Sequence, residues 1–466
     1  MAKRQFYKIL KILLWVGFVP FLWAFGTPNP KTNVLFITID TLRADHLHSY
    51  GYSRETAPYL DRLSREGARF GTVYCQLPAT GPSHTSIFTS RYPHTHGVVA
   101  NGWVLSNTQM TLAEIFKERG YETAAFVSSF PLDAQFGLDQ GFDTYDDEFS
   151  IEGSTKKNIS SWEHHNVKEG FDRRADVTTH KVLQWLNKNK EKPFFLWVHY
   201  FDPHAPYDPP KPFDRMFTEA NEDSLHRKIA LYDGEIRFTD QEIEKLLKQL
   251  DMYHLTNKTL IVVTSDHGEG LGEHNWMGHA VYIYEEELHV PLIMRLPGRI
   301  PANTIVNTPI ETIDIAPTVL RLLEMPVPEA FEGRDLSSWT EGRTKAPQDG
   351  DVYFERMHYY GKPDYFNETQ YLLKRVKGLP LKGEKYGIRH NHMKFIWAPS
   401  ENTEELYDLA QDPEENVNIA RGDQRDLAAP YRKMLQRWVR SHPFSGPRQE
   451  IDEKTREKLR SLGYIN

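Results

Sequence analysis

The sequence holds a single cysteine, Cys75, in 466 residues. No intrachain disulfide can form, and no thiolate cluster can bind a metal. Basic runs are missing beyond the N-terminus. Lys+Arg 56 against Asp+Glu 64 leaves a mildly acidic chain, which argues against nucleic acid as a partner. Internal repeats and low-complexity tracts are absent as well. Long apolar stretches are scarce: Ile12 to Gly26 is uncharged over fifteen residues, fewer than the roughly 20 of a comfortable membrane span. Lys3, Arg4, Lys8 and Lys11 precede it, the polarity of an export signal. Residues 1–28 therefore read as a targeting segment for a periplasmic or extracellular protein. Residues 6–26 can also stay as an inner-membrane anchor, with the positive end in the cytoplasm. Pro28 to Lys31 reads as a linker.

What the chain does have is length enough for a large core and 58 aromatic residues (25 Phe, 23 Tyr, 10 Trp), which suit a packed enzyme core or a sugar-facing cleft. Asn33–Ile39 is a short apolar, β-branched run. It predicts a strand buried on both faces, with Asp40 at its carboxyl end, where open α/β sheets place ligands. Pro58 opens a helix that Gly67 stops, Leu60 and Leu63 facing inward. The alternation recurs: helix 111–119 before strand 122–129, helix 175–189 before strand 193–200. A long amphipathic helix with Leu225, Ile229, Tyr232, Ile236, Ile243, Leu247 and Leu250 inside precedes strand 259–264. Strand 289–296 and helix 317–323 follow. Strands alternating with helices predict a parallel α/β sheet covered on both faces. Residues 145–172 are polar and aperiodic, a rim loop of the kind that carries specificity. A Pro/Gly-rich stretch, 325–350, predicts a boundary between a catalytic domain (29–340) and a smaller α+β unit (341–466). That unit has strand-like pieces at 351–354, 392–397 and 405–409 and a helix near 425–439.

The chain is organised around Leu77 to His84 and the stretch following it to Gly97. Pro82 fixes φ near the helical value and lacks an N–H, so a helix is expected to open there and run through Phe88. Thr80 is thereby placed at a helix N-terminus, where unpaired N–H groups favour an anion. A hydroxyl there is a candidate nucleophile toward a phosphate or sulfate ester. Ser265-Asp266-His267-Gly268 ends another strand and aims two donors at one point. Asp40, Thr80, Asp266 and His267 thus form a candidate site for one divalent ion, Mn²⁺, Mg²⁺, Zn²⁺ or Ca²⁺. Such an ion lowers the pKa of a coordinated hydroxyl and neutralises charge developing on a transferred group. His204, in a Pro-braced turn, and His279, in a Gly-punctuated loop, are candidates for contacting the substrate or protonating a leaving alkoxide, and so is His84. His94, His96, His199 and His274 read as structural.

Residues 33–51, 78–97, 201–210, 265–291 and 405–420, in this order, resemble the sulfatase family of the alkaline-phosphatase superfamily. The resemblance implies an alkaline-phosphatase-like α/β fold, a mostly parallel sheet flanked by helices with a smaller C-terminal subdomain, and a metal-dependent esterase. The departures are specific. Sulfatases carry Cys or Ser in a Cys/Ser-x-Pro-x-Arg motif, and that first residue becomes formylglycine. Here the stretch is Thr80-Gly-Pro82-Ser-His84. The Asp-Asp pair of the family is Asp40-Thr41, the Asp-Asn pair is Asp266-His267, a Lys is lost near Ser128, and the Lys of the later loop is His279. A Thr nucleophile with Asp and His around one metal resembles the superfamily's phosphoglycerol and phosphoethanolamine transferases instead. The implied function is Thr80 attacking a phosphoester of a lipid head group or glycan. The alternatives are sulfuric ester hydrolysis and an inactive member that binds an anionic glycan or lipid head group.

Overall fold

In the computed structural model, residues 31–149, 171–220, 222–356 and 383–444 are described, together with two short strands at 161–162 and 165–166. The targeting segment and most of the rim loop lie outside the described residues. Among the described residues no helix is long and apolar enough to cross a membrane.

A nine-stranded sheet forms the centre. Its strands are β1 (Asn33–Ile39), β2 (Ala68–Tyr74), β3 (Glu122–Phe126), β4 (Thr144–Asp146), β5 (Phe194–Tyr200), β6 (Thr259–Ser265), β7 (His289–Arg295), β8 (Thr304–Val306) and β9 (Ile310–Glu311). The spatial order is β8-β2-β7-β6-β1-β5-β3-β4, with β9 also pairing with β2. All seven residues of β1, β5 and β6 are buried. That burial is why those segments read as near-continuous apolar runs.

Helices flank the sheet: α1 (Pro58–Glu66), α2 (Thr80–Thr89), α3 (Leu112–Glu118), α4 (Ala175–Asn189), α5 (Ser224–Met252) and α6 (Ile315–Leu322). Local chemistry sets their ends. Pro58 occupies the first turn of α1, a capping box joins Thr111 and Glu114 at α3, and Asp223 caps α5 through the N–H groups of Leu225 and His226. Two apolar clusters fill the faces. Val34, Phe36, Phe88, Phe116, Phe195 and Trp197 belong to one, and Leu35, Ile37, Leu196, Ile236, Ile243 and Leu250 to the other. Successive β1 residues alternate between them, as the period of two requires.

The sheet is mostly parallel, with one correction to the parallel reading: β7 runs antiparallel to both β6 and β2. The connection from Asp266 to Leu288 holds a two-residue hairpin pairing (Gly270–Leu271 with Met277–Gly278), a single 3-10 turn and the short helix Glu285–Leu288, with no helix long enough for a crossover, and the chain returns beside the strand it left. Strand β2 was unexpected. Its alternation of buried and half-buried residues (Ala68, Phe70, Val73 and Tyr74 buried) reflects its place near the sheet edge. Leu225, expected inside, is exposed in the first turn of α5.

The C-terminal unit is a four-stranded antiparallel sheet, β10 (Asp351–Arg356), β11 (Lys385–His390), β12 (Met393–Ala398) and β13 (Thr403–Asp408), with helix α7 (Ala429–Ser441) against it. Strand β11 is absent from the sequence reading. Buried Lys394 of β12 bonds to Glu285 and Glu415 at 3.0 and 2.9 Å, tying this sheet to the loop that precedes β7.

Candidate active site

Asp40 follows the last residue of β1, and Asp266 with His267 follows the last residue of β6. The two strands are parallel neighbours, with Ile39 in register with Ser265. Helix α2 starts at Thr80, two residues before Pro82. Its first turn brings the Thr80 hydroxyl to 3.5 Å from His267 Nε2. Asp40, Thr80, Asp266 and His267 are all fully buried. The open N–H seat expected at this helix end is partly taken up. Gly81 N–H donates to Asn101 Oδ1 at 2.8 Å, Ser83 N–H donates to Ala79 O at 2.9 Å, and Pro82 has no N–H to offer.

The donor set fits a cation. Neither carboxylate oxygen of Asp40 accepts a hydrogen bond, nor does Asp266 Oδ2. The other oxygen, Asp266 Oδ1, is held by the N–H groups of His267 and Thr41 at 2.9 and 3.2 Å. His267 Nδ1 donates to Gly268 O at 2.9 Å. The lone pair therefore sits on Nε2, 3.4 Å from Asp266 Oδ2 and 3.8 Å from Asp40 Oδ1. Burial pushes the His267 pKa down to about 4, so the ring is neutral at physiological pH. Burial, then Asp266 and Glu269, holds the Asp40 carboxyl well above its ordinary range. Burial likewise raises Asp266. Two acidic groups desolvated this completely call for a positive partner, and a divalent ion with oxygen and imidazole ligands matches their chemistry.

A second potential ligand group, His84, His199 and Asp266, lies alongside, but its His84 imidazole is engaged otherwise. His84 Nδ1 donates to Thr80 O at 2.8 Å. Its Nε2 accepts from the Thr38 hydroxyl at 3.0 Å, which in turn accepts from Trp197 Nε1 at 2.9 Å. His84 is thus locked as a brace on the helix turn that carries Thr80. It has no ring nitrogen left for the substrate, contrary to the sequence expectation.

His204 and His279 come together as a pair, Nε2 to Nε2 at 3.1 Å. His204 Nδ1 donates to Ala205 O at 2.6 Å, so in the neutral pair His279 Nε2–H donates to His204. The His279 ring lies 4.3 Å from that of His267, centroid to centroid. Burial, then His267, pushes the His279 pKa well down. His94, His96 and His274 have structural partners in Glu355, Ser86 and Glu286. His199 does not belong with them. It is fully buried on β5, with Nε2 at 3.5 Å from Asp40 Oδ2. Its place at the carboxyl end of a buried strand was the available signal, the same one that singles out Asp40. Thr41 is a further residue of this site that the sequence reading did not select: its φ of +56° turns the chain directly after Asp40.

The sulfatase family model matches residues 32–325. The chain belongs to the sulfatase family. A second family model, described as N-sulphoglucosamine sulphohydrolase, C-terminal, matches residues 272–440 of this sulfatase-family chain. Among curated relatives, an N-acetylglucosamine-6-O-sulfatase of Bacteroides thetaiotaomicron is 26% identical over 84% of this chain and 82% of its own. An arylsulfatase of Clostridium perfringens is 24% identical over 87% and 94%. Among solved structures, the phosphonate monoester hydrolase of Agrobacterium radiobacter superposes with a TM-score of 0.72 at 23% identity, covering 88% of this chain and 96% of its own. An enzyme solved with its substrate D-glucosamine-2-N,6-O-disulfate gives 0.68 at 22% identity, covering 88% and 97%. These structures establish the alkaline-phosphatase-like fold. This sulfatase-family member is a hydrolase of sulfuric or phosphoric esters, and its family is metal-dependent.

Proposed function

We propose that this hydrolase cleaves a phosphoester with Thr80 as nucleophile, using one divalent ion held by Asp40, Asp266 and His267. The observation that carries the reading is the Thr80 hydroxyl facing His267 Nε2 at 3.5 Å, beside carboxylate oxygens that accept no hydrogen bond. The ion, when bound, supplies the charge that lets an aliphatic hydroxyl lose its proton near neutral pH and that offsets charge on the transferred group. His84, by fixing the Thr80 carbonyl, holds the hydroxyl in position. The Thr80 oxygen bonds to phosphorus as the bond to the leaving alcohol breaks. The proton that Thr80 gives up passes to the neutral His204–His279 pair, which delivers it to that alkoxide. Water then cleaves the phosphothreonine ester, or an acceptor alcohol takes the phosphoryl group.

The imidazoles of His84, His199, His267 and His279 are all kept below their ordinary pKa by burial. Neutral walls around two acids favour an ester with one negative charge, such as a phosphodiester of a lipid head group or glycan. The same balance supports the second reading, a sulfate monoester, which is also a monoanion and agrees with the names of the curated relatives. The charged and then apolar N-terminus supports export, with an anchor at residues 6–26. The test is a mass spectrum of protein quenched during turnover on a phosphodiester and on an aryl sulfate. The proposal expects a phosphoryl adduct on Thr80. An unmodified Thr80 under accumulating product refutes covalent catalysis there, and a sulfuryl adduct selects the second reading.

A further inference from the structure

His199 and Asp40 present two buried polar atoms to each other that have no other partner. His199 sits on β5 in register with Thr38 of β1, two residues before Asp40, and both His199 and Asp40 are fully buried. The Ser128 backbone N–H donates to His199 Nδ1 at 3.2 Å. An imidazole that accepts at Nδ1 and is neutral carries its proton on Nε2. Nε2 has no hydrogen-bond partner, Asp40 Oδ2 has none either, and they lie 3.5 Å apart. The His84 ring, 5.0 Å away and edge-on, blocks rotation of the imidazole from one side. Ser128 itself is pinned, its hydroxyl donating to His199 O at 2.6 Å.

We infer that His199 is a positioning residue for Asp40: its Nε2–H, set by Ser128, aims the Asp40 carboxylate at the divalent ion. The inference rests on the metal site proposed above. In this role the imidazole acts through Asp40, fixing the rotation of that ligand. Partners of this kind around ligating carboxylates typically change metal affinity by about 10–100-fold when removed.

The experiment measures Mn²⁺ binding to metal-stripped full-length protein by the electron-paramagnetic-resonance signal of free Mn²⁺, with circular dichroism as the folding control. His199→Gln keeps an amide N–H near the position of Nε2, and His199→Phe keeps the bulk without the donor. The expected result is a loss of at least ~10-fold for His199→Phe and of less than ~3-fold for His199→Gln. Equal loss in both, or none in His199→Phe, overturns the inference. Imidazole ¹⁵N shifts of the metal-free wild type decide it without any variant: a protonated Nε2 and bare Nδ1 support it, and the opposite tautomer overturns it. If wild-type protein binds no Mn²⁺ while the tautomer is as expected, it is the metal reading that has failed.

Discussion

Asp40 and Asp266 leave the sheet side by side because the residues before them, Ile39 and Ser265, are partners on adjacent parallel strands. Parallel register thus does what no short motif can do, joining two carboxylates 226 positions apart in the chain. The cost is electrostatic. Both are fully buried, and Asp266 adds to the burial that already disfavours ionisation of Asp40.

Removing one of these charges is expected to stabilise the metal-free protein while destroying its response to metal. Asp40→Asn, stripped with chelator, should melt a few degrees above stripped wild type. Mn²⁺ at about 100 times its Kd should stabilise wild type by about 2.7 kcal/mol and leave the variant where it was. Calorimetry with and without MnCl₂ measures both. A variant that melts lower when stripped, or rises equally with Mn²⁺, contradicts the assignment.

Thr80→Ala should lower kcat/KM by at least ~10³-fold, the scale seen when a nucleophile is removed. Thr80→Ser, which keeps the hydroxyl but not the methyl, should retain most of the rate. Turnover of a chromogenic phosphodiester under single-turnover conditions reads the chemical step. Residual activity of Thr80→Ala near that of wild type would move the nucleophile elsewhere.

The two carboxylates of this site are legible in the sequence through one shared property: each follows a strand-forming run immediately. Asp40 after NVLFITI and Asp266 after TLIVVTS stand out because a polar residue ends a buried strand. His199 has a weaker version of that signal. It is the sixth of seven residues in β5, and a histidine inside an apolar run reads as core. The tautomer that gives it a role comes from Ser128, 71 residues away, through a backbone N–H that no side-chain pattern encodes. Strand β2 escapes for another reason. Arg69 and Gly71 interrupt ARFGTVY, and it is pairing with β7, β8 and β9 that makes it extended. The direction of β7 is equally hidden, because composition marks a strand but the connection decides its sense.

Thr41 holds φ at +56°, a region that a β-branched side chain occupies only under constraint. Its N–H bonds to Asp266 Oδ1 and its carbonyl accepts from Tyr232 at 2.7 Å, which supplies the constraint. Its own hydroxyl has no partner. Asn tolerates this backbone far better. Thr41→Asn should therefore gain about 1 kcal/mol in a urea titration with the backbone bonds intact. A loss of stability would show that the Thr41 methyl or hydroxyl contributes packing worth more than the strain.

Lys385 offers a pH-dependent test far from the catalytic chemistry. Its side chain is nearly fully buried, and Glu401 is 3.8 Å away. Burial, then Arg356, lowers its pKa to about 8, against about 10.4 in an unfolded chain. Below pH 8 both states carry the proton, and the folded state bears the full cost of the buried charge. Between pH 8 and about 10.4 the folded state releases its proton first, so the unfolded state binds more protons and stability from this group rises with pH. Above that range the cost is gone. Lys385→Met, which keeps the length without the charge, should thus stabilise the protein at pH 7 by about 1–3 kcal/mol. The advantage should shrink toward zero near pH 10.5. Urea midpoints of both proteins across this range give the difference curve. A gain that does not change with pH would assign the effect to packing, and a loss at pH 7 would mean that Glu401 and Glu405 hold the ammonium more tightly than its burial disfavours it.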